Sequence, residues 1–180
     1  LIATHCENGA VIQRNNDALR IERDVFDIND HSRIRDTEAC FQSSSYAVSL
    51  AKKYGSNLHV LHLTTAKEMD LFEPGDIANK RITAEACVHH LWFCEEDYSR
   101  LGNLIKCNPA IKAESDRLAL LQALHDDRID IIATDHAPHT WEEKQQKYEQ
   151  APAGLPLVQH ALLSLMDQVK RGSLSLTQVV

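Results

Sequence analysis

The segment Thr134-Asp135-His136-Ala137-Pro138-His139-Thr140 sets a carboxylate beside two imidazoles, directly after the apolar run Ile129-Asp130-Ile131-Ile132-Ala133. A buried strand of that composition would deliver Asp135 at its C-terminal end. Carboxylate oxygen and imidazole nitrogen together suit a borderline divalent ion such as Zn²⁺. A plainer reading also stands, because short motifs match by chance: an Asp that caps a helix, followed by two surface histidines. His5 closes Leu1-Ile2-Ala3-Thr4, and His62 lies in Leu58-His59-Val60-Leu61-His62-Leu63. Alternation groups His59 with Leu61 and Val60 with His62. A lone strand histidine is more often a hydrogen-bonded core residue than a ligand. Two of them, at the ends of separate parallel strands and converging with Asp135, are the stronger signal.

Glu85 ends Ile82-Thr83-Ala84-Glu85 and reads either as a salt-bridged rim residue or as a further metal ligand. His89 and His90 are adjacent and so cannot both point one way; they read as a turn with an exposed imidazole. Asn108-Pro109 is a turn-starting dipeptide whose amide either caps the turn or holds a substrate carboxylate. Lys144, in Trp141-Glu142-Glu143-Lys144, reads as a solvated helix charge.

These groups need elements to carry them. Four β-leaning runs, 1–5, 58–63, 81–86 and 129–134, alternate with helix-like stretches. A helix over 38–54 stops at Gly55, a natural C-cap. A second over 115–124 begins with Ser115 and Asp116 and turns Leu118 and Leu121 to one side. A third over 156–169 has Pro156 in its first turn and breaks at Gly172-Ser173. Segments 21–35 and 74–80 read as surface loops. Strand and helix in alternation predict an α/β fold with parallel strands and right-handed crossovers. His5, His62, Glu85 and Asp135 all fall at C-terminal strand ends, which favours part of a TIM-like (β/α)8 barrel over an open doubly wound sheet.

The 180 residues suffice for one domain with a sizeable core. A net charge of −7 argues against nucleic acid as a partner, since phosphate binding needs clustered Lys and Arg. No long apolar run predicts a membrane span, and no signal segment is visible. Cys6, Cys40, Cys87, Cys94 and Cys107 are odd in number and fit no CxxC or disulfide framework, so they are expected to be reduced thiols of a cytoplasmic protein. The chain opens on Leu1 in mid-strand and closes at Val180 inside a helix, so residues 1–180 are expected to be a partial barrel domain truncated at both ends.

Taken in order, six segments resemble the second half of dihydroorotases, cyclic amidohydrolases of the amidohydrolase superfamily. They are Thr4-His5-Cys6-Glu7, then 59–65, then Thr83-Ala84-Glu85 through His89-His90-Leu91, then 106–112, then 134–140 with Glu143-Lys144, and Ala151-Pro152-Ala153-Gly154. The run DHAPHT-x-EEK is the most specific of them. The resemblance implies a zinc enzyme with two ions in the complete site. It makes His5 and His62 ligands of the more exposed ion, and Asp135 the ligand of the other and the proton shuttle. Asn108, His139 and the Ala153-Gly154 backbone become substrate contacts, and Glu85 an extra ligand or a neighbour of the metal.

The implied reaction is the reversible cyclisation of N-carbamoyl-L-aspartate to L-dihydroorotate in pyrimidine synthesis. Zinc lowers the pKa of bound water to about 7. The expected partner is therefore a small molecule, with neither nucleic acid nor membrane. A homodimer or association with another pyrimidine-pathway enzyme stays open. Departures from the family pattern exist: Ala110-Ile111-Lys112 replaces the common Pro-Leu-Arg, and Lys lacks the bidentate fork of Arg. Leu61 stands where some relatives have Cys. The His-x-His strand and the bridging Lys or Asp belong to the other half of the barrel. Two alternatives remain: another cyclic amidohydrolase of the dihydropyrimidinase or allantoinase kind, and a non-catalytic homologue acting as a scaffold.

Overall fold

Short apolar runs become strands where a parallel neighbour satisfies their backbone. In the computed structural model, which describes residues 1–180, four do so. They are β1 (Ile2–Thr4), β2 (Leu58–Val60), β3 (Ile82–Cys87) and β4 (Ile131–Ala133). All pairings are parallel and follow chain order, with Thr4 opposite Val60, Val60 opposite Ala84, and Cys87 opposite Ala133. Sequential order is the arrangement of a barrel arc; a doubly wound sheet would reverse its order at a switch point. The α/β partial barrel expected from the sequence is therefore present.

Helices α1 (Gly9–Glu22), α2 (His31–Ile34) and α3 (Thr37–Tyr54) lead from β1 to β2. Between β2 and β3 the crossover has only 3₁₀ stretches, Ala66–Leu71 and Ile77–Asn79, where strict alternation of strand and helix would need an α-helix. Helices α4 (Val88–Trp92), α5 (Tyr98–Leu101) and α6 (Glu114–His125) lead to β4, and α7 (Trp141–Lys144), α8 (Val158–Lys170) and α9 (Leu176–Val179) follow.

Two faces of the sheet divide the labour. Val60, Ala84 and Ala86 are wholly buried in a core shared with Leu63, Leu91, Tyr98, Ile111 and Leu120. On the opposite face of β3, Thr83 and Glu85 meet the ring of His59 from β2, at 2.8 Å on Nδ1 and 3.1 Å on Nε2.

Several details depart from the sequence reading. Helix α1 carries little sequence signal because its apolar stripe is thin: Val11 and Leu19 alone are buried. Asn8 starts it by accepting from Ala10 N and Val11 N. The segment 21–35 holds the end of α1 and all of α2 rather than a loop. Helix α6 begins at Glu114, after an Ala113 that offers no capping side chain. Helix α8 begins at Val158 instead of 156, because His136 Nδ1 accepts from both Leu157 N and Val158 N and fixes the start there. The predicted stop of α3 holds, with Gly55 left-handed at φ 63°.

Candidate active site

The strand ends set the site. Beyond β2, His62 takes φ 37°, and beyond β4, Asp135 takes φ 45°. Left-handed backbone in non-glycine residues costs on the order of 1–3 kcal/mol and gathers at functional sites. The turn at His62 also corrects the alternation argument: β2 ends at Val60, so His62 does not follow it onto the core face. Its Nε2 lies 2.9 Å from Nδ1 of His5, with the two rings edge to face.

Glu7 explains the orientation of His5. Its carboxylate Oε2 lies 3.1 Å from His5 Nε2 and also pairs with Arg35. A carboxylate on one ring nitrogen fixes the proton there and leaves the other nitrogen with a free lone pair. For Glu7 itself, burial works to raise the pKa, but the hydrogen bond from His5 and the charges of Arg35 and Lys112 outweigh it and hold it below its usual value. No sequence argument assigns Glu7 a role; its signal is its place two residues after His5 in the segment Thr4-His5-Cys6-Glu7.

His62 is buried, and burial first, then the neighbouring His5, lower its pKa, with Asp135 pulling the other way. Its imidazole is thus kept neutral, the form that binds a metal. Its Nδ1 is buried without a partner. Two imidazole nitrogens bound to one zinc at about 2.0–2.1 Å stand roughly 3.3 Å apart, so the 2.9 Å separation of His5 and His62 is close to a ligand pair. The donor set fits a divalent ion. Glu85 is already engaged: Oε2 meets His59 and Oε1 accepts from His62 N at 3.3 Å. That geometry makes it a brace for the turn at His62.

The other candidate residues form a second group. His139 Nε2 donates to Ala153 O at 3.1 Å. Gly154, at φ 138°, packs so tightly that a Cβ would stand 2.6 Å from Ala137 O and 3.1 Å from His139 Nε2. Only glycine fits both demands. Asn108 and Ala153 line a cleft of about 410 Å³ with Arg35, Lys106 and His31. Asn108 Oδ1 is buried and unpartnered. The first group, with His5, His62 and Asp135, does not line this cleft.

Thr140 and Glu143 in the DHAPHT-x-EEK run have a local explanation. Thr140 Oγ1 accepts from Glu143 N, and the Glu143 carboxylate accepts from Thr140 N, a reciprocal cap that starts α7.

Two sequence readings are overturned. His89 and His90 are both buried, not exposed on a turn. Burial drives the pKa of His89 down to about 3 and that of His90 well below the usual range. With the Cys87 thiol they place three donors within 4.8 Å of one another, a group that could hold a metal. The edges of a tetrahedral zinc shell, about 3.5 Å, would have to draw that spread inward. Lys144 is buried as well, not a solvated charge. His31, which no sequence motif singles out, is buried between Cys107 O and the Tyr148 hydroxyl, 2.8 Å from each. All five thiols are free.

No protein-family model matches the chain. It is 37% identical to a dihydroorotase of Halalkalibacterium halodurans, over 99% of this chain and 41% of that protein. It is 40% identical to a dihydroorotase of Bacillus subtilis, over 74% of this chain and 31% of that protein. Among solved structures, the L-hydantoinase (dihydropyrimidinase) of Arthrobacter aurescens superposes with a TM-score of 0.86 at 22% identity, over 98% of this chain and 40% of that one. A dihydroorotase of Saccharomyces cerevisiae in complex with 5-fluoroorotic acid superposes at 0.69 and 18% identity, over 78% of this chain and 40% of that one. These structural likenesses concern the fold. The chain spans less than half the length of each of these relatives. Ordered motifs, sequential parallel strands and sequence relatives agree: over nearly its whole length the chain matches one part, less than half, of dihydroorotases, which are cyclic amidohydrolases.

Proposed function

We propose that the protein to which these residues belong is a zinc-dependent dihydroorotase that interconverts N-carbamoyl-L-aspartate and L-dihydroorotate in pyrimidine biosynthesis. The observation that carries this reading is the convergence of His5 Nδ1 and His62 Nε2 at 2.9 Å on a rim that also bears Asp135. His5, His62 and Asp135 would hold the metal together with residues outside 1–180, and residues 1–180 act as one unit of the larger barrel. When bound, the ion supplies a Lewis acid and makes water a nucleophile near neutral pH.

The chain's own residues do the rest. In the hydrolytic direction water attacks the ring amide carbonyl carbon, and the ring C–N bond breaks. Asp135 accepts the proton lost by the water and returns it to the leaving nitrogen. Asn108, His139 and the Ala153-Gly154 backbone hold the substrate carboxylate through hydrogen bonds. Glu7 and Glu85 fix the ligand loops, so the reacting groups need no reorganisation. No helix is long and apolar enough to cross a membrane, and we take the enzyme to be cytoplasmic, with neither nucleic acid nor membrane as partner.

The rival reading is a hydantoinase or dihydropyrimidinase activity, which a protein of the same fold carries. Those substrates lack the ring carboxylate, so Asn108 and His139 separate the two readings. The test is a substrate panel on the full-length protein with its metal: dihydroorotate should be hydrolysed at least about tenfold more efficiently than dihydrouracil or hydantoin, a difference that one charged contact can supply. A reversed preference would support the rival, and bound metal without turnover of any of them would support a scaffold.

A further inference from the structure

Lys144 is 5% exposed, and no carboxylate pairs with it. Its Nζ donates instead to three backbone carbonyls, Lys106 O at 3.1 Å, Pro152 O at 3.0 Å and Gly154 O at 2.9 Å. An ammonium has three donors, and all three are used. Lys106, also buried, repeats the pattern with Tyr148 O at 2.6 Å and Ala151 O at 2.7 Å. The two lysines are joined through one carbonyl, because the Lys106 O that accepts from Lys144 also accepts from Gly154 N at 2.8 Å. Two buried cations therefore tie the carbonyls of Lys106, Tyr148, Ala151, Pro152 and Gly154 into a single knot.

The knot lies beside the second group of site residues. Lys106 is two residues before Asn108. Gly154 sits against Ala137 and His139 with no room for a Cβ. Ala137 N donates to Leu155 O at 3.1 Å, which closes the contact from the other side. Burying an unpaired ammonium is costly unless every donor is satisfied, and a surface position would have served a mere helix charge.

We propose that Lys144 is a positioning residue. Its ammonium latches the 152–154 backbone to the segment 106–108, and so sets the distance from Gly154 and its neighbour His139 to Asn108, which lines the cleft with Ala153. The inference rests on the dihydroorotase reading for the substrate, but the latch itself does not. Because the latched groups contact the substrate's carboxylate and not the breaking bond, its loss removes binding that ground state and transition state share, which raises KM and spares kcat.

The test compares Lys144→Met and Lys106→Met with the wild type in the full-length, metal-loaded protein. Lys144→Met should raise KM for dihydroorotate about tenfold or more, change kcat less than about threefold, leave the metal content unaltered, and speed hydrogen exchange at the Gly154 amide at least about tenfold. Lys106→Met should shift both readouts in the same direction by less. Faster exchange with unchanged KM, or a fall in kcat alone, overturns the positioning role. Unchanged exchange overturns the latch. If Lys144→Met does not fold, Lys106→Met decides by the same readouts, and unchanged exchange there overturns the latch. If the wild type hydrolyses no dihydroorotate, the reading of function fails on its own, and exchange at Gly154 still decides the latch.

Discussion

Asp135 and Glu7 illustrate two ways a carboxylate can serve one site. Asp135 is exposed at a left-handed position just past β4, where the proposed shuttle role would place its carboxylate. Replacing it with Asn keeps its shape and removes its basicity. In the full-length enzyme Asp135→Asn should lower kcat by about 10²–10⁴-fold, the usual scale of a general acid–base group, with circular dichroism unchanged. Retained turnover would remove the shuttle role. The Glu7 side chain is buried and holds His5 in place. Losing such a partner costs about 10–100-fold in metal affinity, so Glu7→Gln should weaken binding by that factor in a competition titration with a chelator. Unaltered affinity would mean that Glu7 does not orient a ligand. Asp135 is legible in the sequence because an apolar strand leads straight into it. Glu7 is not, because its value lies in a contact with His5 and Arg35 that side-chain geometry alone creates.

The elements legible in the sequence are those whose signal is local. Gly55 stops α3 as its left-handed preference requires, and the four apolar runs carry strands, with β1, β2 and β4 shorter than their runs and β3 shifted one residue along. The features that stay hidden depend on distant partners. His31 reads as a loop residue, yet it bridges Cys107 and Tyr148 across the fold. Lys144 reads as a surface charge, yet its three acceptors lie in two other segments.

His31 also carries a pH dependence. Burial is the main cause of its fall from 6.5 to about 3. Since the folded form resists protonation while the unfolded form accepts a proton below about 6.5, its stabilising effect is complete above about pH 6.5. That effect is lost progressively as pH falls from about 6.5 towards 3, and His89 acts in the same direction. The urea midpoint of the full-length protein should therefore drop between about pH 7 and pH 5, and His31→Gln should flatten that slope. An equal slope in the variant would contradict the assignment. At Gly154, the added methyl of Gly154→Ala has no room against Ala137, so the variant should melt lower and bind substrate more weakly. An unchanged melting temperature would contradict the close approach.

At the scale of the whole molecule, the sheet has two edges, β1 and β4, each pairing on one side only. Ile2 and Ile131 on those edges are 58% and 41% exposed, and Leu162, Leu163 and Met166 of α8 are exposed too. Unpaired strand edges beside apolar surface promote association. Residues 1–180 expressed alone should self-associate and bind zinc poorly, as light scattering and metal analysis would show. A monomer with tightly bound stoichiometric zinc would contradict this.

The proposed chemistry at the rim of His5, His62 and Asp135 is tested most directly by turnover of the full-length, metal-loaded protein. Supplied with L-dihydroorotate, it should release N-carbamoyl-L-aspartate, run the reaction in reverse at lower pH, and lose both directions on Asp135→Asn. Hydrolysis of dihydrouracil or hydantoin with no action on dihydroorotate would contradict the account.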